Sequence, residues 1–233
     1  MALVGESGSG KSSVALAVTK LLPQPPAVIS AARVRFDRTD LLQASAAELQ
    51  AIRGSKISYV FQDPGTSLNP VLTIGEQLRE AIELHTEHRG RQAEALALDW
   101  FTRVGISSAQ ARLGAYPHEF SGGMQQRVMI AMAMATQPAL LIADEPTTAL
   151  DVTVQVQILR LLRDLQRSLR LAILLISHDL MVVERVAHRV CLMSRGRIVE
   201  QGPAAQVFQR PQHPDTKALL GCRLTLTKRA SRP

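Results

Sequence analysis

The chain opens MALVGESGSGKSS, and the stretch from Gly5 to Ser12 constrains its fold more than any other. These residues fit G-x-x-x-x-G-K-[ST] in full, between the apolar Ala2, Leu3 and Val4 and the helix-like KSSVALAVTKLL. A loop of this kind turns backbone N–H groups inward, and the helix after it adds its positive N-terminal end, so the loop holds phosphate. Gly5, Glu6, Ser7, Gly8, Ser9, Gly10, Lys11, Ser12 and Ser13 are the candidate phosphate contacts. Lys11 is suited to the β- and γ-phosphates of a nucleotide, and the Ser12 hydroxyl to Mg²⁺. Because the loop hangs from the end of a buried strand, the expected class is α/β with a mainly parallel sheet.

The rest of the chain agrees with that class. KISYVF, ALLIAD, LAILLIS, RVCLMS and RIVEQ read as short apolar strands, and helical patterns separate most of them. Ser45 with Glu48, and Thr73 with Glu76, form capping-box patterns that open helices. The first helix is expected to run up to Pro23. From Thr73 onward the pattern is helical, so an inserted helical subdomain is expected over 73–135, set in an α/β core of 1–72 and 136–210. Residues 211–233 read as a C-terminal tail.

Composition narrows the function classes. The net charge of +7 raises nucleic acid as a partner, but the basic residues are scattered and aromatics make up only 3%, too few for stacking platforms. No nucleic acid is expected; an acidic membrane surface or acidic partner suits the charge better. No apolar run approaches the roughly 18 residues of a membrane-spanning helix. Cys191 and Cys222 make neither a disulfide framework nor a metal site, which fits a reducing cytosolic setting, and Cys191 in RVCLM is expected to be buried.

Two further stretches carry chemistry. ALLIADEP delivers Asp144 and Glu145 at the carboxyl end of a strand, where open α/β sheets bind ligands. There Asp144 can hold Mg²⁺ through water while Glu145 polarises a water that attacks the γ-phosphate. FSGGMQQR runs a Ser-Gly-Gly turn straight into the helix MQQRVMIAMAMA, a second anion-binding helix start far from the first in sequence. Met124, Met129, Met132 and Met134 on that helix are expected in the core. The amphipathic TVQVQILRLLRDLQRSLRL is read as core packing with a solvated Arg face.

Taken together, GESGSGKS, FQDPGTSLNP, YPHEFSGGMQQR, LLIADEPTTALD and LLISHDL resemble the ATP-binding subunit of an ABC transporter, with a P-loop NTPase core. FQDPGTSLNP, YPHEFSGGMQQR and QHPDTKALL are similar to importers of the oligopeptide, dipeptide and nickel type, with departures at Met124 and Asp215. The resemblance implies ATP and Mg²⁺ as ligands, with Ser12, Gln62 and Asp144 at the metal. It implies Glu145, His178 and Gln62 as the hydrolytic group. Ser121, Gly122, Gly123, Met124 and Gln125 become a signature that closes on ATP held by the opposite subunit, and Ala149, Leu150 and Asp151 line the dimer seam.

The implied partners are membrane permease subunits, a second ATPase subunit, identical or paralogous, and indirectly a solute-binding protein. The implied location is peripheral, on the cytoplasmic face of the cell membrane. Relatives also carry antiparallel strands ahead of the phosphate loop and an aromatic ring that stacks on adenine. The chain is expected to lack both, leaving the Met1–Val4 strand partly unpaired at a sheet edge. The alternatives are a truncated, weakly active or vestigial subunit, and a soluble ABC-type ATPase acting on nucleic acid.

Overall fold

The computed structural model describes residues 1–148 and 150–221. In chain order the first elements are β1 (Ala2–Val4), α1 (Lys11–Val18), β2 (Arg35–Phe36), β3 (Thr39–Asp40), α2 (Ala46–Ile52), β4 (Ile57–Val60) and α3 (Pro64–Ser67). A helical run follows: α4 (Ile74–His85), α5 (Arg91–Arg103), α6 (Ala109–Leu113), a 3₁₀ turn at Pro117–Glu119 and α7 (Gly122–Ala135). The chain then returns through β5 (Leu140–Asp144), α8 (Val152–Leu169), β6 (Ala172–Ser177), α9 (Leu180–Val186), β7 (Arg189–Ser194), β8 (Arg197–Pro203) and α10 (Ala204–Gln209). A last helix, α11, spans residues 214–221.

One sheet of order β4-β5-β6-β1-β7-β8 organises the molecule; every pairing in it is parallel except β7 with β8. β1 therefore lies inside the sheet, between β6 and β7, and not at an edge. The expected unpaired edge is thus overturned: three residues suffice because both neighbours bond them and both faces are covered. Ala2 and Val4 pack with Leu159, Val183, Val190 and Val207 on one face. Leu3, pointing the other way, joins Ala15, Leu49, Ile57 and Ile142.

Both capping boxes form, with Ser45 and Glu48 opening α2 and Thr73 and Glu76 opening α4. α1 stops well short of Pro23. Lys20 takes a φ of +52° and the Leu21 amide bonds the Leu16 carbonyl, a left-handed cap that ends the helix without the proline. In the helical unit, Ile74, Leu78, Ile82, Trp100, Phe101 and Met134 make a core that continues through Ile130 and Leu141 to the sheet. Met129 and Met134 are buried and Met124 and Met132 pack against that core at its margin. α8 buries Ile158, Leu159, Leu162 and Leu165 while Arg160, Arg163 and Arg167 face water.

Two expectations are corrected. Cys191 is only half-buried, because β7 meets solvent there beside Gln201. Residues 214–221 are no tail: Leu219 and Leu220 pack on the β1 and β7 core, and Glu200 of β8 anchors the approach by accepting from the backbone N–H groups of Gln212 and His213 at 3.0 and 2.9 Å. The basic stretch from Cys222 onward lies outside the described residues.

Candidate functional site

Sheet register brings the scattered motifs together. Val60, Ala143, Leu175, Ala2 and Val190 form one row across five strands. Two rows further toward the carboxyl ends come Ser177 and Val4, and the Glu145 amide bonds the Ile176 carbonyl beside them at 2.9 Å. Gln62, Glu145, His178 and the Gly5 loop therefore leave neighbouring strands on the same side, around β1, where the chain order of the sheet reverses.

The loop itself is held ready for an anion. Gly10 has a φ of +97°, a conformation that any residue with a Cβ adopts only under strain, and it caps α1 with no side chain. The first-turn N–H groups are thus left to a ligand. Lys11 is 5% exposed; its ammonium donates to the Gly5 and Glu6 carbonyls at 3.0 and 2.9 Å. Nζ also stands 4.0 Å from Glu145 Oε1, and an ammonium has three donors, so one is left facing the cavity.

That cavity, of about 670 Å³, is lined by Gly5, Glu6, Ser7, Gly8, Gly10, Lys11, Ser12 and Ser13, with Gln62, Glu145, Thr148, His178 and Leu219. Ser9 is not among these: it is buried beneath the loop, its amide donating to the Glu6 carbonyl. Among the described residues on this lining no ring is aromatic other than the imidazole of His178, and the apolar surface comes from Leu219 of α11.

Glu145 is the hub of the site. Its φ is +46°, which turns its side chain off the end of β5 into the cavity. Oε2 accepts from Gln62 Nε2 at 3.2 Å and from Thr148 Oγ1 at 2.9 Å, and His178 Nδ1 lies 3.1 Å away. Asp144 sits behind it. Burial pushes its carboxyl above the ordinary carboxylate range, although the Ser12 hydroxyl bonds it. Its Oδ1 is buried and has no hydrogen-bond partner among the described residues. A buried carboxylate oxygen without a donor, beside a serine hydroxyl at the foot of the phosphate loop, fits a hard divalent cation such as Mg²⁺. Among the described residues no three His, Cys, Asp or Glu side chains cluster to hold a metal by themselves, which suits an ion completed by phosphate oxygens and water.

The Ser-Gly-Gly turn stands apart from this cavity. Ser121 caps α7 through the Met124 amide, and Ser121 and Gly122 face solvent. Gly123 and Met124 are half-buried, and Gln125 turns inward, its amide donating to the Pro117 carbonyl at 2.7 Å. The turn lies against Leu150 and Val154, at the start of α8. Asp151 caps that helix, accepting from the Val154 amide, and Gln155 bonds the carbonyls of Thr147 and Leu150. The Ser121–Gly123 turn and the Leu150–Asp151 segment are thus neighbours. Ala149 lies outside the described residues.

The family described as ABC transporter matches residues 1–148. The chain belongs to the ABC transporter family. This ABC chain is 53% identical over 220 residues to an uncharacterized ABC transporter ATP-binding protein, YejF, of Escherichia coli (strain K12), covering 94% of this chain and 42% of that protein. It is 48% identical over 226 residues to the oligopeptide transport ATP-binding protein OppD of Bacillus subtilis (strain 168), covering 97% and 63%. The chain therefore spans less than two thirds of the length of either relative. Among solved structures, cbiO1 from Clostridium perfringens, part of the transporter complex cbiONQ, superposes with a TM-score of 0.77 at 26% identity, covering 98% of this chain and 85% of that one. The ATP-binding cassette MJ0796, a dimer bound to ADP and Pi, gives 0.75 at 27%, covering 87% and 84%.

Sequence reasoning missed Thr148 and Leu219. The signal for Thr148 was available: Glu145-Pro146-Thr147-Thr148 has proline at the second turn position, which brings the first and fourth side chains together. Leu219 carries no local signal, because its place depends on how α11 folds back.

Proposed function

We propose that this ABC chain binds and hydrolyses ATP and thereby energises import of a peptide or a related small solute, including the nickel ion of the sequence resemblance, through a membrane transporter. The observation that carries the reading is the Glu145 carboxylate, held by Gln62, Thr148 and His178 and facing Lys11 over the phosphate loop. Glu145 takes the proton of the attacking water. Lys11 and the N–H groups that open α1 bind the β- and γ-phosphate charge, and His178, beside Glu145, contacts the γ-phosphate. Ser12, Gln62 and Asp144 would hold Mg²⁺, which would supply positive charge to the phosphate oxygens. Two cassettes, identical or paralogous, close on ATP so that Ser121–Gly123 of each meets the phosphates held by the other; the turn's exposure and its separation from the chain's own cavity support this. The likeness to proteins named for oligopeptide and dipeptide transport supports the solute class and, with it, permease partners at the membrane.

The test is Glu145→Gln. ATP affinity should persist while phosphate release falls by about a hundredfold or more, the scale of losing a general base, and sizing chromatography should show an ATP-dependent dimer that outlasts that of the wild type. Phosphate release at the wild-type rate refutes the assignment of Glu145, and a variant that stays monomeric with ATP refutes the paired arrangement.

A further inference from the structure

We infer that Thr148 is a positioning residue that selects which oxygen of Glu145 receives the proton from water. The inference rests on the ATPase reading above and concerns a residue within LLIADEPTTALD to which the resemblance assigned no role. Three donors converge on Oε2: Gln62 Nε2, Thr148 Oγ1 and His178 Nδ1, the last when its proton is on that nitrogen. Among the described residues Oε1 has no hydrogen bond of this kind, and the Lys11 ammonium lies 4.0 Å from it. A carboxylate oxygen has about two lone pairs, so three donors saturate Oε2 and leave the free, proton-accepting pairs on Oε1, the atom nearest the lysine that binds phosphate.

The three donors are not equivalent. All three line the cavity, but Gln62 follows β4 and His178 follows β6, each on a segment other than that of Glu145. Their hydrogen-bonding groups are the ones a nucleotide and its cation engage, so they are drawn off Oε2 when substrate binds. Thr148 belongs to the same turn as Glu145, closed by its own amide donating to the Glu145 carbonyl at 3.1 Å. Its hydroxyl travels with the carboxylate and holds it throughout the cycle. This matters because Glu145 has a φ of +46° before a proline, where the backbone alone gives the side chain little support. With the backbone turned and Oε2 tethered, the carboxylate presents Oε1 to the cavity.

The experiment compares wild type, T148V, T148S and T148A for kcat and KM in ATP hydrolysis and, separately, for ATP affinity by calorimetry. Valine keeps the volume and loses the hydroxyl; serine keeps the hydroxyl. Misplacing a reacting group by about 1 Å costs on the order of a hundredfold, so loosening one tether should lower kcat by about tenfold in T148V and T148A. KM and ATP affinity should stay within about twofold, since the Thr148 hydroxyl is spent on Glu145 Oε2 and not on the phosphate loop. T148S should recover most of the rate, and T148V should add nothing in an E145Q background, where the base is already gone. The inference is overturned if T148V hydrolyses ATP like the wild type, if its defect lies in KM and affinity, or if T148S is as slow as T148V. A wild-type chain without ATPase activity overturns the function proposed above, and this inference with it; a hydrolysing wild type matched by T148V overturns the inference alone.

Discussion

Gly123 is the position where the packing of the signature turn can be tested by a single methyl group. A Cβ built there stands 2.5 Å from Val154 Cγ1, with Cγ2 at 3.6 Å and Cβ at 3.7 Å. Carbon atoms prefer about 3.5–4.0 Å, so only the Cγ1 contact is repulsive, and by at least about 1 Å. Overpacking of this kind costs about 1–3 kcal/mol. Alanine for glycine in a helix returns at most about 1 kcal/mol, less in a first turn. Gly123→Ala should therefore destabilise the chain by about 1 kcal/mol net, which for a domain of this size lowers Tm by about 2–4 °C.

Val154→Ala removes Cγ1 and leaves the Cβ at an ordinary distance. On that background Gly123→Ala should be neutral or slightly stabilising, giving a coupling of about 1–3 kcal/mol between the two sites. Gly122 is the control. Its built Cβ meets Leu150 Cδ2 at 3.5 Å, an ordinary contact, so Gly122→Ala should change stability by less than about 0.5 kcal/mol. Urea and thermal unfolding of the four cycle members and the control read all of this. If Gly123→Ala costs as much in the Val154→Ala background as in the wild type, the methyl clash is not what keeps position 123 a glycine.

Lys11→Ala should nearly abolish ATP binding in calorimetry with Mg²⁺, because the buried ammonium is the main cation at the phosphates and also ties the Gly5 and Glu6 carbonyls; near-normal affinity refutes the phosphate-loop assignment. Asp144→Asn should raise the Tm of the nucleotide-free chain while removing the extra stabilisation that Mg²⁺ gives with ATP. The sign follows from a carboxyl pushed above its ordinary range by burial: ionisation opposes folding, so the penalty is present above that raised value and fades as pH falls below it. The Tm gain of Asp144→Asn should shrink in parallel, and a gain that stays constant down to acidic pH refutes burial of the charge as its cause.

The parts of this molecule that were legible in the sequence are those whose physics is local. The phosphate loop declares itself because Gly10 and Lys11 have conformational and chemical jobs within one turn, and the two capping boxes because donor and acceptor are three residues apart. The end of α1 was misread for the same reason: proline is a loud local signal, whereas the left-handed Lys20 that stops the helix earlier has no compositional mark. β1 was misplaced because three apolar residues say nothing about which strands flank them; its neighbours come from more than 160 positions later, and only register supplies them.

The residues proposed for hydrolysis divide along the same line. Asp144 and Glu145 could be read from one strand end, but their unequal surroundings could not. Asp144 keeps a buried oxygen without a donor, while Glu145, one residue on, has three groups converging on a single oxygen. Successive side chains at a strand end point to opposite sides, and with a φ of +46° at Glu145 the two adjacent carboxylates come to lie in different places: one beneath the loop beside Ser12, the other over it beside Lys11. A carboxylate short of donors attracts a cation, and one surrounded by donors is held in place as a base. On the function proposed above, two adjacent carboxylates are thus given separate chemical tasks by their surroundings, and a change that relaxed the Glu145 dihedral would be expected to draw its carboxylate away from the three groups that converge on it.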